Sequence, residues 1–140
     1  MIYVTGFDGK DHKFNYHKNK SRKSRSNKSS YHKEARDLIS NLLGNYSVYE
    51  EVTLPGSKKL SRASLLYADF YIPELALIIE VHGEQHYNYS HFFHKNKYNF
   101  FKSKNRDKDK IEWCEINEID VVILPYNERE KWTQMITEKR

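Results

Sequence analysis

Asp69 and, after ten intervening residues, Glu80-Val81-His82 are the residues whose types and spacing most invite chemistry. Both carboxylates lie in the most apolar part of the chain, within SLLYADFYI (64–72) and LALIIEVH (75–82). An Asp inside such a run is a poor strand former and costs free energy to desolvate. Strand alternation puts Leu65, Tyr67, Asp69 and Tyr71 on one face, and Leu66, Ala68, Phe70 and Ile72 on the other. In the next run Ala76, Ile78, Glu80 and His82 share a face. A turn of roughly two to five residues at Pro73-Glu74 would bring Asp69 and Glu80 close. Two acids there repel unless something positive lies between them. A hard divalent cation held by oxygens answers this; Lys or Arg pairing one acid, or a wet sheet edge, is the alternative.

The surrounding pattern names the elements that must position these groups. Tyr31, Ala35, Leu38, Ile39, Leu42 and Leu43 keep a helical period, with Gly44 as a stop. Residues 46–54 read as a strand ended by Pro55-Gly56-Ser57, and 64–72 as a second strand broken by Pro73. Residues 75–82 form a third, the most continuously apolar and therefore central. Residues 83–102 are aromatic and histidine-rich and keep no clear period. A helix is expected over 103–117, with Ser103 as N-cap and Ile111, Cys114 and Glu118 along one flank. A short strand over 119–124 stops at Pro125, and Asn127 with Glu130 resembles a capping box opening a last helix with Trp132, Met135 and Ile136. The order α-β-β-β-α-β-α predicts an α/β sandwich around a mixed sheet. Glu34 then stands in the first turn of the opening helix, beside its apolar stripe, and Asp107 one turn before Ile111. Each alone reads as a helix-start acid favoured by the macrodipole. Together with Asp69, Glu80 and His82 they form a pattern.

The 140 residues suit one domain. No apolar run reaches the roughly 18 residues of a membrane span, and no charged-then-apolar leader opens the chain. Cys114 is the lone cysteine, which excludes an internal disulfide and points to a reducing cytoplasm. The net charge of +5 is unevenly spread: residues 10–33 carry nine Lys or Arg against Asp11 alone. Residues 18–30, KNKSRKSRSNKSS, hold no aliphatic or aromatic side chain, so a basic, largely flexible arm is expected over 1–30 and the folded domain over 31–140. Met1–Phe7 reads as a short strand or peripheral hook. Lys18, Lys20, Arg22, Lys23, Arg25 and Lys28 make the arm an electrostatic footprint for a polyanion, most economically double-stranded DNA; the alternative is a solvated terminus. A second positive run, Lys95, Lys97, Lys102, Lys104 and Arg106, continued by Lys108 and Lys110, interleaves with aromatics from Tyr87 to Phe101 that can wedge against bases or fill the core.

Asp69 followed by Glu80-Val81-His82 resembles the D…(D/E)xK signature of the PD-(D/E)XK nuclease superfamily, with His82 where lysine normally stands. Val81-His82-Gly83, with His86 soon after, is similar to the very short patch repair endonucleases. The set Glu34, Asp69, Val81-His82 and Asp107 resembles the EDxHD homing endonucleases, phage-encoded relatives of those repair enzymes. The likeness covers residues 31–124, and the inferred αβββαβ order, a central mixed sheet flanked by helices, agrees with that superfamily's core. Two departures stand out. The repair enzymes carry a cysteine-rich zinc site, which one cysteine cannot supply, and their position equivalent to Glu80 is apolar.

The resemblance implies phosphodiester hydrolysis by a site-specific DNA endonuclease. Mg²⁺, with Mn²⁺ as a substitute, would be held by Asp69, the Val81 carbonyl and, unless it is a bystander, Glu80. His82, with a reference pKa near ~6.5, would exchange a proton with water or the leaving group. Glu34 and Asp107 would orient His82 or its waters, and His86 is a second acid–base candidate or a structural histidine. Homing cleavage in the cytoplasm of a host cell is the preferred expectation. A mismatch- or structure-specific nickase, an enzyme acting on RNA or a Holliday junction, and a catalytically silent DNA-binding module are the others. One small active site per chain would need a homo-oligomer to cut both strands.

Overall fold

The computed structural model describes residues 3–19, 29–84 and 97–140. Ser29 caps the first helix, α1 (Ser30–Leu42), its hydroxyl accepting from the His32 amide at 3.2 Å. A mixed sheet follows in the order β3 (Tyr49–Leu54), β4 (Leu66–Ile72), β5 (Leu77–His82), β6 (Asp120–Pro125). The first two pairings are antiparallel and β5–β6 is parallel. Parallel neighbours need a long crossover, supplied by α2 (Lys97–Ile116). A 3-10 segment (Tyr126–Lys131) leads into a short helix, α3 (Trp132–Thr137).

The sheet separates two cores. Ala35, Ile39 and Leu43 of the α1 region pack with Phe70, Ile79, Leu124, Trp132 and Ile136 on one face. Trp113, Cys114 and Ile119 pack with Tyr71, Ile78, Val52 and Ala68 on the other. The two fully buried indoles also satisfy their N–H groups, Trp113 on the Pro55 carbonyl at 2.9 Å and Trp132 on the Pro125 carbonyl at 2.8 Å. An apolar side chain so buried contributes about 1.5–3 kcal/mol. Among the described residues no helix is long and apolar enough to cross a membrane.

Several expectations change. Residues 3–19 belong to the folded body and not to an arm. They form a hairpin of β1 (Tyr3–Thr5) and β2 (Asp11–Lys13), then a 3-10 turn, Tyr16–Asn19. Val4 and Phe14 are buried in the α2-side core, Phe14 stacking on Tyr71. The Asn117 amide ties down Thr5 by accepting from its N–H at 2.7 Å and donating to its carbonyl at 3.0 Å. Residues 20–28, with Lys20, Arg22, Lys23, Arg25 and Lys28, lie outside the described residues.

Helix α2 begins at Lys97, and Ser103 is interior to it, not its cap. Its first turns carry no one-sided apolar stripe, so periodicity could not find them. β3 starts at Tyr49 and not at residue 46, and β5 at Leu77, because Pro73–Leu75 forms a 3-10 turn closed by Ala76 at φ 47°. The Asn127/Glu130 capping box does not form. Glu128 has non-helical angles, and α3 starts only at Trp132, without a side-chain cap.

Candidate functional site

β4 and β5 pair regularly at Ile72↔Leu77, Tyr71↔Ile78 and Phe70↔Ile79, and the next pair would be Asp69 with Glu80. There the ladder gives way to the carboxylates. The Asp69 amide donates to Glu80 Oε2 at 2.7 Å, and the Val81 amide donates to Asp69 Oδ2 at 2.8 Å. Each acid thus binds a backbone N–H of the other's strand. The N–H and C=O of one extended residue point to the same side, so the Val81 carbonyl also faces β4 beyond the last regular pair.

Helix α2 closes the site from above. Lys110 Nζ donates to Glu80 Oε1 at 2.7 Å, and Asp107, one turn earlier, brings Oδ1 to 3.9 Å from His82 Nε2. That second approach is electrostatic, being too long for a hydrogen bond. Glu80 and His82 are buried, while Asp69 is half-buried.

Burial, followed by the charge of Asp69, pushes the Glu80 carboxyl up to about 7, against the opposing pull of Lys110. Burial alone would lower Lys110, but the Glu80 and Asp69 carboxylates outweigh it and hold the ammonium above its ordinary value. Cys114, buried beneath them, is pushed up to about 12, by burial first and then by Glu80. It is an inert core thiol.

The expected site is therefore assembled only in part. Asp69, Glu80, His82 and Asp107 converge. Glu34 does not join them: it sits on the α1 layer, and its carboxylate pairs with Arg129 Nε at 3.2 Å, both side chains about half exposed. Arg129 in turn lies over the Tyr31 ring, 5.5 Å from its centroid. The helix turn that carries Glu34 buries His32 and Arg36 inward and leaves Glu34 on the flank. His86 and Lys95 lie outside the described residues, and Lys18 stands in the Tyr16–Asn19 turn. Lys97, Lys102, Lys104 and Arg106 are exposed on α2, joined by Lys108, so that helix presents a cationic outer surface.

Two groups depart from the sequence reading, the first being Lys110, which the positive run places toward DNA and the structure turns in to Glu80. Lys110 carries a visible signal, since it lies three residues after Asp107 and so on the same helix face. It also realises the alternative in which a lysine pairs one acid. The second is a buried ionic cluster between α1 and β3. Glu50 is bound by His32 Nε2 at 2.7 Å and by Arg36 through Nε at 2.8 Å and Nη2 at 3.0 Å, with His32 stacked on Phe70. His32 and Arg36, four apart on the apolar side of α1, were its signal.

Among the described residues no three His, Cys, Asp or Glu side chains are grouped to hold a metal ion. The oxygens brought together by the cross-strand bonds are those of Asp69 and Glu80, and strand geometry turns the Val81 carbonyl to the same edge of β5. Such a set suits Mg²⁺, which binds through one or two carboxylates and keeps several waters.

No family model matches the chain, and no solved structure matches it. It is similar to two viral proteins. It is 39% identical over 61 residues to "Uncharacterized protein 307L" of Invertebrate iridescent virus 6, and 34% identical over 61 residues to "Uncharacterized protein 033L" of Invertebrate iridescent virus 3. In each case the match covers 44% of this chain and 31% of the relative, so the chain spans under a third of the length of these curated relatives.

Proposed function

We propose that the chain is a divalent-metal-dependent DNA endonuclease of the PD-(D/E)XK kind, with an EDxHD-like site in which His82 replaces the usual lysine. One observation carries this reading. Asp69 and Glu80 cross-bind where the central strands part, with His82 and Asp107 on the same side. Lys110 accounts for Glu80 as a structural pair, but that pair does not require His82 to gather beside Asp69 and Asp107 over an otherwise apolar sheet. The run α1–β3–β4–β5–α2–β6 agrees with the superfamily's order.

Asp69, Glu80 and the Val81 carbonyl would hold Mg²⁺, which when bound stabilises charge on a phosphate and its leaving oxygen. His82 takes the proton of the attacking water as the P–O bond forms, and a proton returns to the leaving oxygen as the old P–O bond breaks. Asp107, 3.9 Å from His82 Nε2, would help to orient the imidazole. Lys110 holds Glu80 in place while no metal is bound. The exposed cations of α2 contact DNA phosphates. The viral relatives are compatible with action inside an infected cell.

The test is plasmid and duplex DNA incubated with the chain in Mg²⁺, Mn²⁺ or EDTA, beside Asp69→Asn and His82→Ala. Metal-dependent nicking or linearisation lost in both variants is expected. Cleavage that survives both substitutions would overturn the assignment of the site. Mismatched duplex, four-way junction and RNA as competitors separate homing cleavage from repair and RNA chemistry, and sedimentation velocity reads the dimer expected for double-strand breaks.

A further inference from the structure

β3 and β4 change phase together at one level of the sheet. Glu51 has φ 51°, a left-handed conformation disfavoured for a residue with a side chain. It stands at the register position opposite Asp69. The β3–β4 pairing runs Tyr49↔Tyr71, Glu50↔Phe70, then Val52↔Ala68, passing over that one pair. The cores record the consequence. A regular pleat keeps residues 50, 52 and 54 on one face. Yet Glu50 meets His32 and Arg36 of α1, while Val52 and Leu54 join the cluster of Trp113 across the sheet. β4 divides in the same way. Leu66 and Ala68 pack with Trp113, and Phe70 and Ile72 pack with α1. The alternation read from the sequence, which kept these four on one face, therefore breaks at Asp69.

The kink is clamped on both sides. Glu50, immediately before Glu51, is wholly buried and bound at both carboxylate oxygens by His32 and Arg36. Val52, immediately after, is buried in the opposite core. Surroundings this well determined are what allow a strained backbone to persist. Asp69 is thereby left out of both neighbouring ladders, and its links to β5 run through side chains, its amide to the Glu80 carboxylate and its own carboxylate to the Val81 amide.

We propose that the left-handed backbone of Glu51, held by the buried His32–Arg36–Glu50 cluster, is a positioning device for Asp69. It breaks the β3–β4 ladder at the level where the Asp69 carboxylate must reach the Val81 amide and lie beside Glu80. That this carboxylate then serves phosphodiester cleavage rests on the reading above. The role belongs to the backbone of Glu51, so glycine, which adopts positive φ freely, replaces it, and a β-branched residue does not.

The test compares the full chain with Glu51→Gly and Glu51→Val by residue-resolved amide exchange without metal, beside Mg²⁺-dependent plasmid cleavage. Glu51→Gly is expected to keep the Val81 amide protected and kcat within about threefold of the starting chain. Glu51→Val is expected to retain protection at Ile78 and Ile79 but to speed Val81 exchange about tenfold or more. It should lower kcat by about a hundredfold with KM nearly unchanged, as for a misplaced reacting group. Should Glu51→Val fail to fold, Glu51→Thr, also β-branched, takes its place with the same criteria. Loss of Val81 protection in Glu51→Gly, or full protection in a folded Glu51→Val, overturns the proposal. The expected exchange pattern in a chain that cuts no DNA would sink the nuclease reading and leave the positioning role supported.

Discussion

Replacing Lys110 by Met removes the ammonium that meets Glu80, and the effect depends on pH. At pH 8 the Glu80 carboxyl, pushed up to about 7, is mostly ionised and lies 2.7 Å from Lys110 Nζ. Without Lys110 it must take a proton or stand uncompensated beside Asp69. Breaking a buried pair in this way costs about 3–5 kcal/mol. Because 19% of the Lys110 side chain reaches solvent, the loss at pH 8 falls near the lower end, about 3 kcal/mol. At pH 5 Glu80 already carries a proton in the starting chain, so only a hydrogen bond worth about 1 kcal/mol is lost.

The sign follows from linkage. The folded pKa of Glu80 lies above its ordinary 4.5. The stability gained from its proton is therefore full below 4.5 and lost as pH rises through about 7. Removing Lys110 raises the folded value further and extends that loss to higher pH. The two conditions then differ by about 2 kcal/mol, or about 8 °C in Tm at roughly 4 °C per kcal/mol for a domain of this size. Thermal unfolding followed by circular dichroism in EDTA at pH 5 and pH 8 measures it. Adding Mg²⁺ at pH 8 should then stabilise Lys110→Met more than the starting chain, because the cation replaces a missing charge at the two carboxylates. An equal drop at both pH values refutes the linkage. A pH-dependent drop with no Mg²⁺ rescue refutes the cation site.

The Glu50 cluster should be fragile from the acid side: Glu50→Ala leaves the Arg36 guanidinium buried without its bidentate partner and is expected to lose about 3–5 kcal/mol in urea unfolding. Glu34→Gln is expected to change stability by less than about 0.5 kcal/mol, because its pair with Arg129 is half exposed. The same variant should leave the plasmid cleavage rate within about threefold, and a hundredfold loss would return Glu34 to the site that the family likeness assigns it. Gly56→Ala should cost about 2 kcal/mol or more by the same unfolding assay, since φ is 71° and the added Cβ would fall 2.5 Å from Gly6 Cα, prising the N-terminal hairpin from the β3–β4 turn.

Periodicity sufficed for the sheet and for α1. Four apolar runs bounded by Pro55-Gly56, Pro73 and Pro125 announce β3 to β6, because alternation and turn chemistry are local properties. The same local logic marks Asp69, Glu80 and His82, since a carboxylate within an apolar strand is anomalous whatever surrounds it. Asp107 was legible too, and Lys110 equally so from its helical offset.

What the sequence could not decide depends on contacts between distant segments. Met1–Phe7 reads locally as a strand, but residues 8–19 show no apolar period, and Val4 and Phe14 find a core only with Tyr71 and Trp113. Glu34 and Arg36 are indistinguishable as charged residues of one helix until the sheet buries one side of α1, sending Arg36 to Glu50 and Glu34 to Arg129. Nothing in the letters around Glu51 asks for a left-handed backbone. That conformation is imposed by the Glu50 clamp on one face and the Val52 core on the other. Local propensity chooses the elements; the phase slip that turns Asp69 toward β5 exists only when both cores pull on the same strand.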